Sequence, residues 1–312
     1  MQAILTVAFP IFAMILTGYL AGRLKILGAE STAALNAFVS YFALPVLFFG
    51  TLARTPVQSV FDAGFLAGFS LVFVASYGFG MLMNRLVKRG GLAEMNLHGL
   101  AAAWGNVGYM GVPLALAAFG AEGLPPAMLA VIVTAVFSMV IGVMMIELGE
   151  ASDEGAWRGF VKALSGVARN PLPLSILAGL AASWIGLKLP GPIDRFFELM
   201  GAAAAPCALF AIGLFLADKA IGSGVAEAGL VTLNKLLLQP LLAFLILPFF
   251  VPLDSVAGKV GLLMAALPTA ANAFVLAKQY EISVEENTAA VLLSTAISVI
   301  TVSALLVWMR VG

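Results

Sequence analysis

Apolar stretches of membrane-spanning length follow one another along nearly the whole chain, with short polar segments between them. A helix needs about 20 apolar residues to cross a hydrocarbon layer ~30 Å thick. Ten stretches meet that requirement, at residues 2–22, 31–52, 61–83, 96–119, 126–148, 171–187, 193–216, 226–250, 258–280 and 287–310. The pattern therefore predicts an all-α polytopic membrane protein with ten transmembrane helices, which we number as spans 1 to 10.

Spans 4 and 9 carry helix-breaking residues in their middle. Span 4 is interrupted at Gly105, Asn106, Gly108, Gly111 and Pro113, and span 9 at Pro268, Thr269 and Asn272. Irregular backbone at membrane depth is tolerated only where protein or a water-filled cavity surrounds it. Two interrupted spans in corresponding places of two half-chains predict the binding site of a transporter.

The two halves of the chain resemble each other at an offset of 161 positions. Pro45 in span 2 corresponds to Pro206 in span 7, the window 105–113 to 266–274, and residues 126–148 to 287–309. Each half holds five spans, an odd number, so the second copy is inverted in the membrane. We therefore predict a first five-helix repeat at 1–148, a cytoplasmic linker at 149–170 and an inverted second repeat at 171–312.

Basic residues set the predicted orientation. Loops after odd-numbered spans hold ten lysines and arginines, whereas loops after even-numbered spans and the C-terminus hold five. Because basic residues concentrate in cytoplasmic loops, both termini are expected on the periplasmic side.

Composition narrows the class of protein. The chain is 62% hydrophobic and 10% charged, against about 25% charged residues in soluble domains, so the lipid bilayer is its surroundings. Net charge is +0 without a basic run, which gives no indication of a nucleic-acid partner. With one histidine, one cysteine and no HExxH, GxSxG or P-loop motif, we expect no enzyme, no metal and no cofactor.

The interrupted spans suit an anion. The half-helix that follows each break begins with free N–H groups and a partial positive charge, and Asn106 and Asn272 add side-chain amides. We take these two residues, with Gly105, Tyr109 and Thr269, as candidate contacts for a small organic anion. In the alternative interpretation the asparagines only satisfy interrupted backbone and Tyr109 only packs.

Charged residues inside spans are scarce. Lys235 lies deep in span 8, and it could be a counter-charge for the anion, a tether for unwound carbonyls, or a snorkelling side chain. No aspartate or glutamate lies deep in any span, which disfavours both cation transport and a carboxylate-based proton antiport. His98 is expected at the cytoplasmic end of span 4, where an interfacial histidine is usually inert.

Four motifs carry a resemblance to a known family: GNVGYMGVPLA at 105–115, PTAANAFVLA at 268–277, FALPVLFF at 42–49 and ARNPLPLSILAGL at 168–180. Together they resemble the auxin efflux carrier (PIN-like) family, whose bacterial members include proteins described as malonate or organic-acid transporters. The resemblance implies that spans 4 and 9 cross at breaks marked by Pro113 and Pro268. It also implies a scaffold of spans 1, 2, 6 and 7, an elevator-like moving unit of the other six spans, and a homodimer formed through the scaffold.

The expected function is therefore a bacterial inner-membrane carrier of small organic anions. On the scaffold side we expect contacts from Asn36, Ser40 and Tyr41 in span 2. A sodium-coupled symporter of the bile-acid type, a non-transporting membrane receptor and a channel remain as alternatives.

Overall fold

The computed structural model describes residues 4–57, 61–149, 161, 164–165, 168–219 and 224–310. All regular structure in these ranges is helical, apart from one isolated β-bridge. The α-helices, numbered in chain order, are α1 Phe9–Arg23, α2 Ala29–Phe38, α3 Leu44–Ala53, α4 Ala63–Val87, α5 Leu92–Ala103, α6 Val112–Phe119, α7 Leu124–Gly149, α8 Pro171–Trp184, α9 Gly191–Ala202, α10 Ala204–Ala217, α11 Val225–Leu233, α12 Gln239–Ile246, α13 Val256–Ala265, α14 Ala271–Tyr280 and α15 Val284–Trp308. Most of the predicted linker at 149–170 lies outside the described residues.

Each predicted span coincides with one or two of these helices. By length and apolar composition, seven continuous helical stretches of the described chain can cross a membrane: Thr6–Arg23, Ala29–Ala53, Ala63–Val87, Val107–Gly142, Gly191–Ala217, Val225–Phe249 and Val284–Trp308. Two more apolar helices, Pro171–Trp184 and Val256–Ala265, are shorter. The chain is therefore a multi-pass membrane protein.

Prolines widen four of the helices without ending them. π-Helical turns occupy Ile4–Ala8, Val39–Ala43, Val107–Gly111 and Asn234–Leu238, and each ends two residues before a proline: Pro10, Pro45, Pro113 and Pro240. Proline has no N–H, and its ring clashes with the carbonyl four residues earlier. A wider turn just before it relieves that conflict.

The same rule corrects one prediction about span 4. Pro113 does not mark the break, because the chain is already helical from Val107 and Pro113 continues that helix in α6. The backbone is irregular at residues 104–106 instead.

Glycines bring two pairs of helices into close contact. α1 packs along α10, and an added Cβ at Gly213 would lie 2.0 Å from the carbonyl oxygen of Ile15. α8 packs along α3, where a Cβ at Gly179 would lie 3.0 Å from the carbonyl oxygen of Phe49. Small residues at such crossings let helix backbones approach in a membrane, where packing drives helix association.

The helices α4–α7 and α11–α15 form a second bundle around the interrupted spans. α4 packs on α5 through Gly80 and Gly99, and α11 packs on α15. Phenylalanines of α4, among them Phe65, Phe69 and Phe73, are buried in this bundle. It is this bundle that holds both breaks.

Candidate functional site

The two interrupted helices cross at their breaks. One break separates α5 from the helix that restarts at Val107, and the other separates α13 from α14. The Asn106 N–H donates to the carbonyl of Pro268 at 2.9 Å, and the Ala270 N–H donates to the carbonyl of Trp104 at 2.8 Å. Gly105 and Thr269 form an isolated antiparallel bridge between these bonds. Each break therefore supplies hydrogen bonds that the other one lacks.

Side chains from three other places in the chain satisfy the carbonyls at the end of α5. The donors are the hydroxyl of Thr269 to Ala101 at 2.9 Å, the hydroxyl of Ser76 to Ala102 at 3.1 Å, and the amide of Gln239 to Ala103 at 3.1 Å. A helix end leaves such carbonyls without intrahelical partners, and lipid offers none. Buried polar side chains therefore donate the hydrogen bonds that water would donate to a helix end at a protein surface.

Lys235 acts in the same way on the other interrupted helix. Its side chain is fully buried, and Nζ donates to the carbonyl of Ala265, the last residue of α13, at 2.8 Å. A Cβ at Gly105 would lie 3.3 Å from Nζ, so the glycine leaves room for the lysine. Lys235 had three interpretations: a counter-charge, a tether for carbonyls, or a snorkelling side chain. The contact with the Ala265 carbonyl fits the tether.

We expect Lys235→Met to lower the free energy of unfolding by roughly 1–3 kcal/mol, because it leaves the Ala265 carbonyl buried without a donor. Methionine keeps much of the side chain's length. Melting temperature in detergent measures the effect. Lys278→Met is the matched control, since Lys278 is exposed on α14. Equal melting temperatures for the two variants would contradict the tether role.

A cavity of about 320 Å³ lies against the crossing. This volume is at the small end of the range for ligand pockets, roughly 300–1,000 Å³. Its polar lining residues are Asn36, Ser40, Asn106, Tyr109, Thr134, Asn170, Asn272 and Thr295. None of the described lining residues is charged. The cavity can therefore hold a small polar solute without a fixed counter-charge.

The two asparagines of the breaks line this cavity with unused amides. In the described part of the chain, neither the side chain of Asn106 nor that of Asn272 has a hydrogen-bond partner, and Asn106 does not cap the helix that follows it. The first residues of both half-helices, Val107, Gly108 and Ala271, also line the cavity. First-turn N–H groups have no intrahelical partners, so both half-helices turn their electropositive ends toward the same space.

Tyr109 joins the crossing to α2 and the π-turn after it. Its hydroxyl donates to the carbonyl of Asn36 at 3.2 Å and lies 2.6 Å from the hydroxyl of Ser40. Tyr41, in contrast, is 64% exposed and does not line the cavity. Thr269 does not line it either, because its hydroxyl is buried against Ala101.

The two prolines occupy different places. Pro268 lies in the break before α14. Pro113 lies in α6 beside a separate cavity, which is bounded by α3 and α9. Of the candidate residues, the cavity therefore brings together Asn36, Ser40, Gly105, Asn106, Tyr109 and Asn272.

A family model described as "Membrane transport protein" matches residues 3–308. The chain belongs to this family. It is 37% identical to a protein named "Putative malonate transporter" from Rhizobium meliloti (strain 1021), and the alignment covers 100% of this chain and 98% of that one. It is 27% identical to "Uncharacterized transporter YfdV" from Escherichia coli (strain K12), over 94% of this chain and 93% of that one. It is 23% identical to "Auxin efflux carrier component 8" from Arabidopsis thaliana, over 90% of each chain.

These relationships confirm the resemblance to the auxin efflux carrier family. They indicate a membrane transporter and not an enzyme.

The sequence patterns did not identify two threonines that line the transporter's cavity. Thr134 on α7 and Thr295 on α15 both line it. They are 161 positions apart, the same offset that relates the two halves of the chain. That offset could have identified them, because it pairs the helices on which they lie.

A lysine lies beside the transporter's cavity although it does not line it. Phe215, a lining residue on α10, packs edge-on against Phe274 of α14 with ring centroids 5.7 Å apart. The ammonium group of Lys219 lies 5.6 Å and 5.1 Å from the centres of these two rings. Lys219 also forms an ion pair with Asp218 at 2.9 Å. The cation–π contact therefore places a paired lysine, and no net positive charge, near the uncharged cavity.

Proposed function

We propose that this transporter is a secondary carrier of small organic anions, and that the anion binds in the cavity at the helix crossing. The observation that carries the proposal is the pair of unpartnered amides, Asn106 and Asn272, beside two half-helix starts in one cavity. All four features offer N–H donors. A carboxylate accepts such hydrogen bonds, and those to a charged group are stronger than neutral ones.

The charge distribution favours an anion over a cation. No carboxylate is among the described lining residues. A cation would meet the positive ends of two helices without a compensating negative charge. An anion would meet the side-chain amides and the half-helix starts that line the cavity.

The arrangement suits a dicarboxylate. One asparagine and one half-helix start come from each half of the chain, so each interrupted helix contributes its own donors. The two carboxylates of a short diacid would each engage the donors of one helix. Malonate is the first solute to test, because the relative that is 37% identical carries that substrate in its name.

We further propose that the crossing moves against a scaffold in an elevator-type cycle. The scaffold consists of α1, α2, α3, α8, α9 and α10, and the other helices form the moving unit. The cavity lies between the two, because Asn36 and Ala211 line it from one side and Asn106 and Asn272 from the other. Substrate held at such a boundary can be carried past the scaffold.

Helix packing supports the inverted-repeat part of this proposal. α1, which begins the first half, packs along α10 of the second half; α8, which begins the second half, packs along α3 of the first. This reciprocal pairing is what a two-fold relation between the halves requires. In the same proposal the protein lies in a bacterial inner membrane with both termini periplasmic and dimerises through the scaffold.

Uptake by proteoliposomes tests the function. We expect radiolabelled malonate to enter vesicles that contain the purified protein, with a rate that saturates and that other short dicarboxylates inhibit. Replacing sodium by potassium should leave the rate unchanged. Strict sodium dependence would favour the symporter alternative, and binding without uptake would favour a receptor. If the protein neither bound nor took up any organic acid, the proposal would be overturned.

A further inference from the structure

A second, smaller cavity lies in the bundle around the interrupted spans, away from the substrate cavity. It has a volume of about 10 Å³, which is room for one water-sized species. Four helices enclose it, with the lining residues Asn84, Lys88, His98, Ala101, Glu227, Val231, Ser283, Glu286 and Asn287. The sequence placed His98 at the membrane interface, but the structure leaves it only 7% exposed.

Three buried polar atoms of this cavity have no hydrogen-bond partner among the residues that the structure describes: Oδ1 of Asn84, Nε2 of His98 and Oδ1 of Asn287. Each of the three side chains is more than nine-tenths buried. The amide nitrogen of Asn287 donates to the carbonyl of Ser283 at 2.8 Å, which fixes Oδ1 as the unpartnered atom. An unsatisfied buried polar group costs about 1–3 kcal/mol. Three together indicate a site that something else completes.

Among the described residues that line the cavity, the charged groups leave one excess negative charge. Lys88 just after α4, Glu227 on α11 and Glu286 on α15 face the cavity. Lys88 donates to Glu286 at 2.7 Å, and this hydrogen bond raises the pKa of the Lys88 ammonium group, so the lysine stays charged. Glu227 is then the carboxylate left over. On the other segments packed against α5, Lys235 and Lys278 do not line the cavity, and α7 contributes no described ionisable side chain to it.

We propose that His98 is a proton-binding site of the moving unit and that the carrier transports a proton together with its anion. Nε2 takes a proton from water on one side of the membrane. The new N–H is a donor in a cavity whose unpartnered amide oxygens are acceptors, and the added charge offsets that of Glu227. After the unit has moved, the same nitrogen returns the proton to water on the other side.

The site is placed where it can be coupled to the substrate. His98 and Ala101 lie one turn apart on α5 and line the same small cavity. Ala101 also accepts the hydroxyl of Thr269 from the crossing. α5 therefore connects the proton site to the crossing that binds the anion, and the proton cancels one charge of the anion during its passage. This inference rests on the proposed anion transport.

Because His98 is the only histidine of the chain, its protonation can be observed directly. The full-length protein, purified with a histidine-free tag and labelled with ¹⁵N-histidine, should give one imidazole whose nitrogen shifts titrate reversibly while the protein stays folded. An imidazole that does not titrate anywhere in the pH range in which the protein stays folded would overturn the proton site. This measurement needs no substrate, so it remains decisive even if anion transport is absent.

Coupling is measured in vesicles that enclose a pH-sensitive dye. Malonate uptake should acidify the lumen, and His98→Gln should reduce the acidification at least tenfold. Lys278→Gln, which removes an ionisable group at an exposed position of α14 outside the cavity, is the control and should acidify the lumen as the unaltered protein does. Uptake without acidification, or equal acidification by His98→Gln, would overturn the coupling; absence of uptake would instead overturn the proposed function.

Discussion

Asn272→Asp is expected to weaken binding of the organic anion about 100-fold or more. The substitution preserves shape but replaces an amide that donates hydrogen bonds by a carboxylate that only accepts them. Loss of a hydrogen bond to a charged group costs about 1.5–3 kcal/mol, and repulsion between the two like charges adds to it. Since 1.4 kcal/mol is a tenfold change in affinity, two orders of magnitude follow. Asn106→Asp should act in the same direction.

Gln279→Glu is the matched control for this experiment. It adds the same charge on the same helix, α14, at an exposed position that does not line the cavity. Titration calorimetry with malonate should give an affinity close to that of the unaltered protein. If Asn272→Asp bound malonate as tightly as Gln279→Glu or more tightly, the anion site would be wrong.

Gly213→Ala is expected to destabilise the fold by about 3 kcal/mol or more. An added Cβ would lie 2.0 Å from the carbonyl oxygen of Ile15 and 2.6 Å from the backbone nitrogen of Tyr19. Backbone atoms cannot rotate away as a side chain can, so α1 and α10 must move apart along their contact. Overpacking of this kind usually costs 1–3 kcal/mol, and more where nothing can relax.

Gly229→Ala provides the comparison for that variant. Gly229 lies within α11 and has open space where its Cβ would be. Alanine is favoured over glycine in a helix by about 0.5–1 kcal/mol, so this variant should be as stable as the original or slightly more so. Thermal unfolding in detergent should therefore separate the two variants clearly. Equal melting temperatures would contradict the close packing of α1 on α10.

The sequence was sufficient to predict the helical class and the place of both interrupted spans. Lipid restricts backbone structure strongly, so glycine, asparagine and proline inside an apolar stretch carry information that they lack in a soluble protein. The prediction that both prolines mark breaks was wrong for one of them. Pro268 lies in a break, whereas Pro113 follows a π-turn inside a helix. A local rule cannot distinguish these two ways of accommodating proline.

Contacts between helices were harder to predict. Whether Thr269 faces the cavity or the Ala101 carbonyl depends on the rotation of one interrupted helix against the other. The burial of His98 was not predicted because span boundaries ignore neighbouring helices: α5 begins at Leu92, before the predicted span, and α4, α11 and α15 enclose the histidine. Packing between helices determines both the direction of Thr269 and the burial of His98. A single sequence does not show that packing.

The most direct measurement is the position of a bound anion. Crystals grown with 2-bromomalonate, examined at the bromine absorption edge, would locate the ligand by its anomalous signal. If the anion binds at the helix crossing, we expect one bromine peak in the cavity between Asn106 and Asn272, with carboxylate density at the starts of the two half-helices. A peak elsewhere, with this cavity empty, would contradict it.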